Sequence, residues 1–144
     1  MTTNVIGVLN DLIEMSRDGE RGYMKAAQDA HHVSVKEALL EIADHCSKGV
    51  RELQDRVLDL GGIPESGGSV AGALHRGWLD VKTVLGSRTD HAILVDCERG
   101  EDVTKKHFRD ALKKDLPADV LALVGRLYQS VLQNHARIRV LRDQ

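Results

Sequence analysis

Five side chains carry the chemistry open to this sequence: Glu20, Glu52, Glu98, Glu101 and His135. Each falls on or beside the apolar stripe of an expected helix. Oxygen-rich ligation with one imidazole suits iron or manganese better than zinc or copper. Glu98 and Glu101, inside Cys97-Glu98-Arg99-Gly100-Glu101-Asp102, stand three apart and so share a helix face. Two carboxylates turned toward a core cost several kcal/mol each unless a metal, an arginine or a proton meets them.

A di-iron carboxylate bundle takes one Glu from each of two helices and Glu-x-x-His from the other two. Here the pattern is partial. No Glu-x-x-His occurs in the chain: Glu52 is followed at that offset by Asp55, and His135 is preceded by Leu132. The further carboxylate comes from Glu98-x-x-Glu101, giving an acidic set with one imidazole and room for one metal rather than two. The competing expectation is an ionic layer in which arginines meet the glutamates, with Arg76, Arg99, Arg137 and Arg139 at hand. The planar guanidinium fork matches a carboxylate, and such a layer fixes register while adding little stability. In a third arrangement Glu52 and Glu98 simply face water.

Other chemistry has less support. His45 flanks the stripe of its helix and could join the polar layer. His31-His32 reads as a solvated turn, and His91 and His107 as exposed. His75, in His75-Arg76-Gly77-Trp78, reads as packing of a short helix anchored by the single Trp. Gly67-Gly68-Ser69 could meet an anion at a helix start, but it lacks the lysine of a phosphate loop. No nucleophile triad emerges, so no catalytic residue is assigned. Cys46 and Cys97 lack Cys-x-x-Cys spacing and read as a reduced pair in or beside the core, consistent with a cytoplasmic protein.

Helices must position these groups. The first is expected over about Asn4–Ala30, capped by Thr2, Thr3 or Asn4, with Leu9, Leu12, Ile13, Ser16, Glu20, Tyr23 and Ala27 inward. Gly19 and Gly22 flank Glu20 and point to close packing there. A second, opened by the capping box Ser34-Val35-Lys36-Glu37, runs to about Leu60 and stops at Gly61-Gly62 and Pro64. After a linker over Gly61–Gly68, a short helix spans about Ser69–Leu85. Ser87-Arg88-Thr89-Asp90 opens a third long helix, about Thr89–Lys114. Pro117 sits in the first turn of the fourth, which places Leu121, Val124, Tyr128, Val131, His135 and Ile138 inward. Short connections at the first and last junctions, with a long one between, describe a ferritin-like antiparallel four-helix bundle whose crossover carries a short helix.

Composition agrees. The chain has 144 residues, enough for one domain with a real core over 1–144. Aromatic residues are only 3% and prolines two, which favours an all-α protein. A net charge of −2 gives no basic field for nucleic acid or an anionic membrane. No apolar run nears the ~18 residues of a spanning helix, and the first residues have no basic region of a signal peptide.

Several motifs in order carry a resemblance: Asp18-Gly19-Glu20-x-Gly22-Tyr23, Leu60-Gly61-Gly62-x-Pro64, Gly68-Ser69-x-x-Gly72-x-Leu74-His75-Arg76-Gly77-Trp78, the segment Cys97 to Asp102, Asp115-Leu116-Pro117, and His135-x-Arg137-x-x-x-Leu141-Arg142-Asp143. Over nearly its whole length the chain is similar to an uncharacterised bacterial ferritin-like four-helix-bundle family, classed as a domain of unknown function. The resemblance implies that fold and no established activity. By analogy with ferritin-like proteins, Glu20, Glu52, Glu98 or Glu101, and His135 fall where metal ligands would lie. Two functions are therefore expected. One is a non-catalytic structural or stress-associated assembly protein. The other is an iron or manganese binder handling metal or peroxide. A homo-oligomer is expected in either case, with Ile6, Val50, Val81 and Leu127 as apolar contacts outside the main stripes.

Overall fold

The computed structural model describes residues 3–67 and 89–144. The expected crossover helix, with His75, Arg76, Trp78 and Val81, lies outside the described residues.

Asn4 starts the first helix, α1 (Val5–Asp29), by accepting the Gly7 N–H at 3.0 Å. After a short turn, α2 (Val33–Asp59) begins before the expected Ser34, and its N-cap His32 makes no side-chain cap bond. Asp90 ties down this turn from elsewhere in the chain. Its carboxylate accepts the backbone N–H groups of His31 and His32 at 2.8 and 3.0 Å. Burial works against that carboxylate, yet the two amide donors hold its pKa below the usual range.

Gly61 closes α2 with φ of +80°, a conformation open to glycine. Its N–H reaches Leu58 O, and that of Gly62 reaches Val57 O, both at 2.9 Å. The linker that follows is pinned across the two helices: the Asn10 side chain bonds Ile63 O and Glu65 N, and Gln54 bonds Glu65 O.

Thr89 caps α3 (Asp90–Leu112) through the Ala92 N–H at 3.1 Å. The last helix, α4 (Ala118–Asp143), has Pro117 as its N-cap, just outside the first turn where it was expected, and Asp119 complements the positive helix end.

α1 packs along α2, α3 packs along α4, and α1 also meets α3; α2 and α4 touch more sparsely than any of these. The core falls into two apolar halves. One gathers Tyr23, Leu39, Ile42, Ile93, Leu94 and Ile138. The other gathers Leu12, Ile13, Leu53, Phe108, Val120 and Val124. Along every helix the stretch between these halves carries the polar residues.

Two expectations of helix phase are corrected. Leu121 is 40% exposed, whereas Val120, Leu123, Val124 and Leu127 are buried. The four apolar residues that open α4 span more than one face, and packing against the Val50–Val57 side of α2 selects the latter set. For the same reason Val50 and Leu127, expected as outward contacts for a partner copy, are part of the core. Ile6 packs against that core. Among the described residues, no helix is long and apolar enough to cross a membrane.

Candidate functional site

Between the two apolar halves lies a layer built from the middle of all four helices. Glu101 is its centre. Gly100 and Glu101 are both buried on α3, and Glu101 is 3% exposed. The Tyr23 hydroxyl, from α1, donates to Glu101 Oε2. Burial pushes the Glu101 carboxyl up to about 8; the Lys105 ammonium pulls it down and the Asp102 carboxylate adds to the rise.

The expected candidates separate on inspection. Glu20, half-buried on α1, pairs with Arg17 one turn earlier at 2.9 Å. Glu52, at the edge of α2, is gripped by both arms of Arg126 on α4 at 2.7 and 3.2 Å. Glu98 pairs with Arg142 near the end of α4. Glu101 alone of the four meets a hydroxyl rather than an arginine in the described residues. Three of the arginines foreseen as partners are occupied elsewhere or not described: Arg99 pairs with Asp96, Arg137 pairs with Glu41, and Arg76 lies outside the described residues.

His135, also buried, faces α3. Its Nε2 lies 3.5 Å from Lys105 Nζ and its Nδ1 lies 3.8 Å from Asp102 Oδ1. Among the described residues Nδ1 is buried without a hydrogen-bond partner. Burial and then the nearby Lys105 ammonium hold the imidazole below its usual pKa. Lys105 itself reaches Asp102 at 3.6 Å. The ammonium is thus the cation that Glu101, Asp102 and His135 have in common. Among the described residues, no three His, Cys, Asp or Glu side chains are grouped so as to hold a metal ion.

Beside Glu101 is a cavity of about 40 Å³. Ser16 and Gly19 of α1, Cys46 and Gly49 of α2, Thr104 of α3 and Ser130 of α4 line it. His45 does join this region, holding Asn134 Oδ1 at 3.0 Å. The Cys46 thiol is pushed up to about 12, mainly by burial and further by Glu20, so it is an inert thiol. Among the described residues the two cysteines form no disulfide with each other. His107 pairs with Asp11 on the surface at 2.9 Å, and His91 meets the Arg142 carbonyl at 3.0 Å.

Tyr23 and Lys105 are the members that sequence reasoning passed over. Each had a signal. A tyrosine on an apolar stripe needs a partner for its hydroxyl, and Lys105 follows Glu101 by four residues and Asp102 by three, both neighbouring positions on a helix.

The family model described as Domain of unknown function (DUF2383) matches residues 4–114. No curated protein sequence matches the chain significantly. Among solved structures, the chain is similar to a two-domain protein containing DJ-1/ThiJ/PfpI-like and ferritin-like domains from Anabaena variabilis. That match has 15% identity and a TM-score of 0.80 and covers 97% of this chain but 39% of the other. The chain is also similar to a dodecameric thioferritin, the bacterioferritin-related protein from Bacteroides fragilis, at 12% identity and a TM-score of 0.73, covering 94% of this chain and 82% of that one. At these identities the likeness shows a ferritin-like fold and no more.

Proposed function

The chain belongs to the family of the domain of unknown function DUF2383, and from that premise we propose that it is a non-catalytic ferritin-like bundle of structural or assembly type, whose polar layer is neutralised by its own cations. One observation carries this reading: Arg17, Arg126 and Arg142 take up Glu20, Glu52 and Glu98, while the Lys105 ammonium stands against His135 and acts on Glu101. A metal ion in this layer would compete with four resident cations, and its ligands would have to leave their partners. The donor set in this arrangement does not fit a di-metal carboxylate centre. Assembly is supported by Val33, Leu40 and Leu58, exposed on α2; 7 and 18 residues apart in sequence, they fall on one helix face. The similar thioferritin is itself a dodecamer. The absence of a disulfide between Cys46 and Cys97 agrees with a reducing, cytoplasmic setting.

The test is elemental analysis of tag-free protein purified without chelator and loaded with Fe(II) or Mn(II), together with its mass in solution by light scattering. An oligomer without stoichiometric metal is expected. One or two metals per chain, lost in Glu101→Ala, would overturn the reading.

A second reading, an iron or manganese binder, is favoured by one feature: the buried Nδ1 of His135, without a hydrogen-bond partner among the described residues, with Asp102 3.8 Å away and the buried Glu101 preceding Asp102 on α3. Under it, Lys105→Ala would raise metal content above that of the unaltered protein. Under the assembly reading, that variant stays metal-free and loses only stability.

A further inference from the structure

The weak contact between α2 and α4 leaves a surface groove of about 350 Å³ beside the polar layer, with Lys48, Glu52, Arg126 and Gln133 on its rim. Its inner wall is formed by His45, Gly49, Leu127 and Ser130, and the same four residues wall the buried cavity next to Glu101. Groove and cavity therefore share a common wall. At Gly49 a Cβ would meet Leu127 Cδ2 in ordinary contact at 3.6 Å, so the backbone of α2 lies close to α4 here.

The interior is suited to hydrogen bonding without charge. Glu101 already accepts from Tyr23, Thr104 donates to Gly100 O at 3.2 Å, and Asn134 Oδ1 is held by His45. The Ser16 and Ser130 hydroxyls line the space and carry no hydrogen bond among the described residues. Each can donate and accept. Among the described residues no lysine or arginine lines the cavity, so an anion finds no counter-charge inside. A cation would have to part the Glu101 carboxyl from the Tyr23 hydroxyl that already holds it. The volume of about 40 Å³ has room for roughly three water-sized groups.

We propose that this cavity is a binding site for a small uncharged molecule of about three non-hydrogen atoms that both donates and accepts hydrogen bonds, of the primary-amide or short-alcohol class, admitted between α2 and α4. The Ser16 and Ser130 hydroxyls anchor its polar atoms, and Met15, Phe108 and Val131 face its carbon. A partly polar, partly apolar wall around a small volume discriminates by charge and by size, because an ion loses its hydration there while the Glu101 carboxyl on the wall is already engaged by Tyr23.

Formamide, formate and formamidinium have the same shape and three different charges, so they test the proposal directly. Each is titrated into the full chain and followed by the backbone amide resonances of Gly49, Thr104 and Ser130. Saturable shifts confined to the cavity wall are expected with formamide, at an affinity at least about tenfold above either ion, equivalent to about 1.4 kcal/mol. Ser130→Leu, which fills the shared wall from a half-buried position, abolishes the shifts while the circular dichroism and unfolding midpoint stay close to those of the parent. Ser16→Val serves as a second variant should Ser130→Leu unfold, and it weakens binding about tenfold by removing one hydroxyl. Absence of saturable shifts, equal response to all three probes, or tighter binding of either ion would each overturn the proposal.

Discussion

The Tyr23 hydroxyl donates to the Glu101 carboxyl across the contact between α1 and α3, and this bond sits where the two apolar halves of the core meet. A carboxyl so deeply buried needs a donor, and the hydroxyl supplies one without a second charge. Tyr23→Phe therefore strands Glu101 and lowers stability by about 1–3 kcal/mol. Urea unfolding measures this. In a double-mutant cycle the loss should shrink when Glu101→Gln is already present; strict additivity would mean the two groups are not energetically linked.

Glu101 makes stability fall with rising pH. Its folded pKa is raised to about 8 from the ordinary 4.5 of a glutamate. Below the lower value both states hold the proton, and the group has no effect on the slope. Between the two values the unfolded chain ionises while the folded one stays protonated, so stability declines by up to about 1.4 kcal/mol per pH unit. Above the folded value the slope vanishes again. Unfolding midpoints at pH 5, 6.5 and 8 should show the decline, and Glu101→Gln should flatten it.

Lys105 depresses the pKa of His135 and that of Glu101 together, because an ammonium disfavours a second positive charge and favours a negative one. Lys105→Met should move both midpoints upward. The His135 midpoint is readable from its imidazole resonances. A downward move would show that the ammonium is not what depresses the imidazole.

The arginine pairs should rank by exposure. Arg126 and Glu52 are 60% and 43% exposed, so Arg126→Ala should cost no more than about 1 kcal/mol despite the bidentate grip. Arg142 and Glu98 are 23% and 21% exposed, so Arg142→Ala should be the more costly change and the less sensitive to salt. Thermal unfolding at low and high salt distinguishes the two.

Cys46 should resist alkylation. With its thiol pushed up to about 12, almost no thiolate exists near neutral pH, and iodoacetamide should modify the folded protein far more slowly than the urea-unfolded chain. Equal rates would place the thiol in open solvent.

Much of this was legible in the chain. The helix-long spacing of Leu9, Leu12, Ile13 and Tyr23, the stops at Gly61 and Pro117, and one long connection among short ones define the ferritin-like bundle, because each depends only on residues close together in sequence. So do Arg17 with Glu20 and Lys105 with Asp102, pairs one helical turn apart. The Gly19–Tyr23 and Cys97–Asp102 stretches could likewise be marked as a polar interruption of the core. What tertiary structure alone decided is which cation meets which carboxylate. Arg126 reaches Glu52 and Arg142 reaches Glu98 only through the rotation and axial offset of α4 against α2 and α3. A small rotation of one helix carries a residue from the core to its edge. Leu121 and Leu127 exchanged their expected roles in this way, and Glu101 was left with a tyrosine hydroxyl in place of an arginine.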